Sequence, residues 1–143
     1  PGVGTGPVKM SSAAAKKVRP KYLSLPAILF QIRLPLPGWV SILHRISGAW
    51  LVFPFAAWLL WMLDASLASE QGFSYAKQYL QLPLVKAGLV IFIWAFCHHF
   101  CAGIRYLLLD LDIGVGLRTA RISSVIVIVA GLALTAFFAA RLW

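Results

Sequence analysis

Acidic side chains are nearly missing from this chain: four Asp and Glu stand against 13 Lys and Arg among 143 residues. Charged residues make up only 12% and hydrophobic residues 61%, where a soluble domain carries roughly 25% charged and about 45 to 50% apolar residues. Too little polar surface remains to cover an apolar core in water, which excludes an ordinary water-soluble domain. Cysteine is also scarce. Two residues, Cys97 and Cys101, cannot form a disulfide framework or an iron-sulfur cage. Their i, i+4 spacing shares one helix face without suiting a bridge inside a regular helix, so both read as small core residues. A zinc site with His98 would bring two thiolates into a low-dielectric core and is disfavoured. No glycine-rich dinucleotide fingerprint occurs either.

Three long uncharged stretches are present: 46–63, 87–104 and 122–140. Each approaches the ~20 residues (range about 17 to 25) that a helix needs to cross the hydrocarbon layer. Backbone amides in lipid must be satisfied within their own segment, and three strands cannot close a barrel. The expected fold is therefore an all-α membrane protein with three transmembrane helices, over about 42–64, 84–109 and 120–141. Three helices make a thin bundle, which invites completion by helices of another chain.

Residues 1–21 are rich in Gly, Pro, Ser, Ala and Lys and lack apolar periodicity, so they read as a flexible basic N-terminal segment preceding a membrane domain over 22–143. Pro20, Pro26, Pro35 and Pro37 break the next apolar stretch. That pattern predicts an interfacial segment with a short helix at 27–32, followed by a first span that opens at Ser41. A short surface helix is expected over Phe73–Leu80. Asp110, Asp112, Gly114 and Gly116 mark the turn before the third span.

The basic residues follow membrane topology. Lys9, Lys16, Lys17, Arg19, Lys21, Arg33 and Arg45 precede or open the first span, and Arg105, Arg118 and Arg121 lie between the second and third; only Lys77, Lys86 and Arg141 fall on the other side. The positive-inside rule then puts the N-terminus on the cytoplasmic side of a bacterial inner membrane, or on the matrix side of a mitochondrial one. With charge so arranged, and no interleaved basic and aromatic patch, a nucleic-acid partner is not expected.

Polar groups at membrane depth are the informative ones. His98 and His99 lie in the second span, towards its basic end. An imidazole there must hydrogen bond, carry a proton or bind a metal. Gly103 lies four residues beyond His99 on the same face, and its missing side chain leaves room either for close helix packing or for a large flat ligand such as a haem. His98 points roughly 100° away, with Ala102, Arg105 and Leu109. Ser41, His44 and Arg45 share a face at the start of the first span. Their hydroxyl, imidazole and guanidinium can grip a carbonyl oxygen or a propionate, while Arg45 alone could simply snorkel. A Ser-His pair without an orienting acid argues against hydrolase chemistry. Ser47 and Gly48 continue the helix with small residues that permit close approach.

The run Ser41-Ile42-Leu43-His44-Arg45-Ile46-Ser47-Gly48, followed by His99, Gly103-Ile104-Arg105 and Asp110, resembles the cytochrome b subunit of succinate dehydrogenase, the complex II membrane anchor. The resemblance extends from Arg19 to Trp143 and includes the Arg118 to Ser123 entrance to the third span. Tyr106 stands where many relatives carry a second His, and Trp39 where a smaller residue is common.

The resemblance implies a subunit of an enzyme complex, with no catalytic residue of its own for succinate oxidation. It implies a haem b with His99 as one axial iron ligand and Gly103 as packing against the haem. The second axial His would come from another small membrane anchor subunit. His44 and Arg105 would lie near the haem propionates or behind the ligand, and Ser41 and Arg45 would contribute to a ubiquinone pocket. FAD and iron-sulfur clusters would reside only in partners, the flavoprotein and iron-sulfur subunits. An anchor of a fumarate reductase and a non-enzymatic membrane assembly protein are the competing readings.

Overall fold

The computed structural model describes residues 34–142, and among them there is no strand. The expected segments at 1–21 and 27–32 lie outside the described residues. Three helices are long and apolar enough to cross a membrane: Leu36–Ala68, Pro83–Asp110 and Leu117–Ala139. The all-α, three-span architecture read from the sequence is the one observed.

The first span comprises α1 (Leu36–Trp50), one π-helical turn (Leu51–Phe55) and α2 (Ala56–Ala68). It begins ahead of Ser41. Pro35 is the extended N-cap and Pro37 falls in the first turn, where a missing N–H costs nothing because those groups have no partner within the helix. Pro35 and Pro37 therefore start the span. Pro54 lies inside the π turn. Its ring would collide with the carbonyl four residues back, and widening one turn relieves that clash without ending the helix.

α3 (Glu70–Tyr79) starts before the expected Phe73, because Ser69 turns extended and its Oγ accepts the Gly72 N–H at 2.9 Å. Trp61 and Tyr79 meet edge-on at 5.9 Å and tie α3 to α2. The second span, α4 (Pro83–Asp110), ends in paired turns, with Ile113 N–H donating to Leu108 O at 2.9 Å and Asp112 N–H to Leu109 O at 3.0 Å. Asp112 takes the left-handed conformation, φ 59°, that this helix stop requires. The third span is α5 (Leu117–Ala139).

α4 packs against both α1 and α5. Its inward seam is Ala95, His98, Ala102 and Arg105, all buried, and the facing seam of α5 is Ser124, Val127, Gly131 and Thr135. Small residues at helical spacing let the backbones close in, as membrane helices need when water supplies no hydrophobic drive. The two buried hydroxyls satisfy themselves on their own helix: Ser124 Oγ donates to Ala120 O at 2.7 Å and Thr135 Oγ1 to Gly131 O at 2.6 Å. Val40 on α1 completes the core with Ala102 and Val127. Cys97 is buried and Cys101 half-buried, both as free thiols. Large apolar side chains, among them Ile46, Phe53, Phe96, Phe100 and Ile126, remain exposed, as lipid permits.

Candidate functional site at the α1–α4 crossing

The two adjacent histidines have opposite environments. His98 faces inward: it is 2% exposed, stacks on Trp94 with centroids 5.6 Å apart, and its Nε2 is buried without a hydrogen-bond partner. Its backbone passes close to Gly131, where an added Cβ would stand 3.4 Å from His98 Cα. His99 is half-buried and turns towards α1. Its ring lies parallel to that of His44, with centroids 4.1 Å apart and planes 9° from parallel. His99 Nδ1 is 3.0 Å from the His44 carbonyl oxygen and 3.3 Å from Ser47 Oγ. Ser47 Oγ also donates to the His44 carbonyl at 3.0 Å.

The space beside Gly103 borders the His44 ring, whose Nε2 would be 3.8 Å from a Cβ added there. That is ordinary contact. The tighter glycine is Gly48, where an added Cβ would come within 2.7 Å of His99 Cε1. Tyr106 lies on the same side, its ring 5.0 Å from that of His44. It is seven residues after His99, a helical spacing that returns to the same face, and this was the signal available for it.

Arg105 turns towards α5. It is 6% exposed and donates through Nε to Ser123 Oγ of α5 at 2.9 Å, while Ser123 Oγ donates onward to Ala120 O. The Arg105 guanidinium also sits 5.3 Å from the centre of the Tyr106 ring, so its link to His44 is indirect. With Ser123, Thr119 and apolar neighbours it borders a groove of about 270 Å³ between α4 and α5. Ser41 is half-buried and Arg45 exposed, and neither side chain forms a hydrogen bond or ion pair with another described residue. Of the residues singled out in the sequence, then, His44, His99 and Gly103 converge, with Ser41 and Arg45 on the same helix as His44 and Arg105 turned to α5.

Residues 19–138 match the family model described as succinate dehydrogenase/fumarate reductase transmembrane subunit. The chain belongs to that family. Among its relatives, the succinate dehydrogenase cytochrome b556 subunit of Rickettsia typhi is 34% identical over 99 residues, covering 67% of this chain and 73% of the relative. The protein of the same name from Rickettsia prowazekii is 32% identical over 99 residues, with the same coverage. That from Paracoccus denitrificans is 34% identical over 92 residues, covering 64% of this chain and 70% of the relative. As a transmembrane subunit of this family, the chain is an integral membrane component of an enzyme complex, and three of its helices are long and apolar enough to cross the membrane.

Proposed function

We propose that this chain is the membrane-anchoring cytochrome b subunit of a succinate:ubiquinone oxidoreductase, and that His99 is its axial ligand to a haem b shared with a second small anchor subunit. The carrying observation is the contrast between the histidines. A ligand to a group shared between chains must be reachable from outside its own bundle: His99 is half-buried on the α1 side, while His98 is sealed at 2% exposure. The donor set fits a haem, since an imidazole suits iron and a glycine lies one turn beyond it. The b556 designation of the relatives supports the b-type group.

When bound, the haem would supply a one-electron store. This chain's residues do the rest. His99 would hold the metal at one ring nitrogen. Arg45, exposed at the basic end of α1, places a fixed positive charge where a reduced quinone develops negative charge, and Ser41, one turn earlier, donates a hydrogen bond to a carbonyl oxygen. His44 stacks on the ligand ring, and Arg105 reaches the site only indirectly, through the Tyr106 ring that lies against His44. Succinate is oxidised in the flavoprotein, and electrons arrive through the iron-sulfur subunit docked on the basic side. The bacterial relatives and the charge distribution support a bacterial inner membrane with the N-terminus in the cytoplasm.

The test is a dithionite-reduced minus oxidised spectrum of the purified complex, repeated with His99→Ala and His98→Leu. The expected result is loss or disturbance of the b-type band in His99→Ala and its retention in His98→Leu. The reverse pattern would move the ligand to His98.

A further inference from the structure

His99 meets α1 at one place, built from three positions of a single turn. The His44 carbonyl oxygen, 3.0 Å from His99 Nδ1, carries no hydrogen, so the proton of this contact resides on Nδ1 and is donated to the carbonyl. A neutral ring protonated at Nδ1 has its lone pair at Nε2. Ser47 Oγ, which donates to the same carbonyl at 3.0 Å, stands 3.3 Å from Nδ1 as a second oxygen beside that proton. Ser47 is 1% exposed, which keeps water from competing for either bond. Gly48 sets how near the ring can come: a Cβ there would stand 2.7 Å from His99 Cε1 and 3.2 Å from Nδ1. Both are atoms of a rigid ring. The His44 imidazole stacked at 4.1 Å closes one face, so the ring has little freedom to give way.

We propose that the His44 carbonyl, Ser47 and Gly48 form a cradle that sets both the tautomer and the rotational setting of the His99 ring, with Ser47 and Gly48 acting as positioning residues for the metal-binding nitrogen. The proposal rests on the reading of His99 as the axial ligand and adds the part of the chain that aims it. Groups hydrogen-bonded to the far nitrogen of a ligating imidazole fix its orientation and raise its basicity, so changing them alters the metal's properties without removing the ligand.

The experiment uses the intact purified complex. The electron paramagnetic resonance spectrum of its oxidised low-spin haem responds to the relative orientation of the two axial rings, and a redox titration gives the midpoint potential. Gly48→Ala is expected to shift the largest g value and the potential, or to lower haem content. Gly88→Ala on the same α4 as His99 adds a Cβ with nothing within 4 Å and leaves both unchanged. Ser47→Ala removes one oxygen and adds no bulk; it is expected to retain haem while shifting the potential. Wild-type g values and potential in both Gly48→Ala and Ser47→Ala overturn the cradle. If Gly48→Ala does not assemble, Ser47→Ala decides: a moved potential supports the cradle and an unmoved one overturns it. His99→Ala separates the two levels, because an undisturbed haem signal in that variant overturns the ligand reading itself, whereas its loss beside unaltered cradle variants overturns the cradle alone.

Discussion

Arg105 Nε donates to Ser123 Oγ at 2.9 Å, joining the second span to the third at the basic end of the bundle. No carboxylate pairs with this guanidinium among the described residues, so the serine oxygen and the Tyr106 ring stabilise its charge. Removing the oxygen leaves a buried donor unpaired, which in a membrane interface costs about 1 kcal/mol. Ser123→Ala is therefore expected to lower the melting temperature of the detergent-solubilised complex while succinate:quinone activity at 25 °C stays near wild type. Unchanged melting would show that this bond carries no stability.

The α4–α5 contact makes a second demand, at Gly131. A Cβ there already reaches 3.4 Å from His98 Cα, and a longer side chain has nowhere to go. Gly131→Leu should force the two spans apart and cut the yield of assembled complex severely, whereas Gly88→Leu, which enters open space, should assemble normally. Equal yields would contradict the close approach. Membrane yield on a native gel is the readout.

The side chains of Ser41 and Arg45 occupy one turn of α1 without hydrogen-bonded or ionic partners among the described residues. Side chains placed for a ligand should be costly for turnover and nearly free for assembly. Ser41→Ala and Arg45→Leu are expected to slow succinate-to-quinone electron transfer and to spare succinate oxidation by an artificial soluble acceptor. A lost hydrogen bond costs ~0.5 to 1.5 kcal/mol, and ~1.5 to 3 kcal/mol when charged, so Arg45→Leu should be the more damaging, by a factor approaching ten. Equal loss of both activities in an assembled complex would assign these residues to structure or to electron entry.

Orientation can be read from single cysteines placed in a background in which Cys97 and Cys101 are replaced by Ala. A thiol at Gln71 in α3 should react with an impermeant reagent from the outer face of intact spheroplasts, and one at Val115 in the α4–α5 turn only after lysis. Both positions are exposed. The opposite accessibility would invert the topology.

Much of this molecule was legible in composition and spacing. The shortage of charge made lipid the solvent, three uncharged stretches of adequate length required three helices, and the helical period put His99 over Gly103 and His98 on a face with Ala102 and Arg105. These are properties of one segment at a time, and lipid enforces them because an unsatisfied backbone group in hydrocarbon is so costly. Helix ends were less legible. Proline at the start of α1 and inside the π turn acts differently in the two places, and only the surrounding turn decides which.

What one helix presents to another was decided by packing. Periodicity separated the directions of His98 and His99, but the approach of α5 through Gly131 determined which direction was sealed. Gly103 drew attention as the glycine beneath His99, yet the glycine that the ring actually presses on is Gly48, 51 positions earlier in the chain on α1. The spacing put Arg105 on the His98 face, and only the packing of α5 showed that Ser123 accepts its Nε–H. Each of these depends on the rotation and depth of one helix against its neighbour. A sequence specifies which residues share a face, while the distance across a crossing is set jointly by all the side chains that meet there.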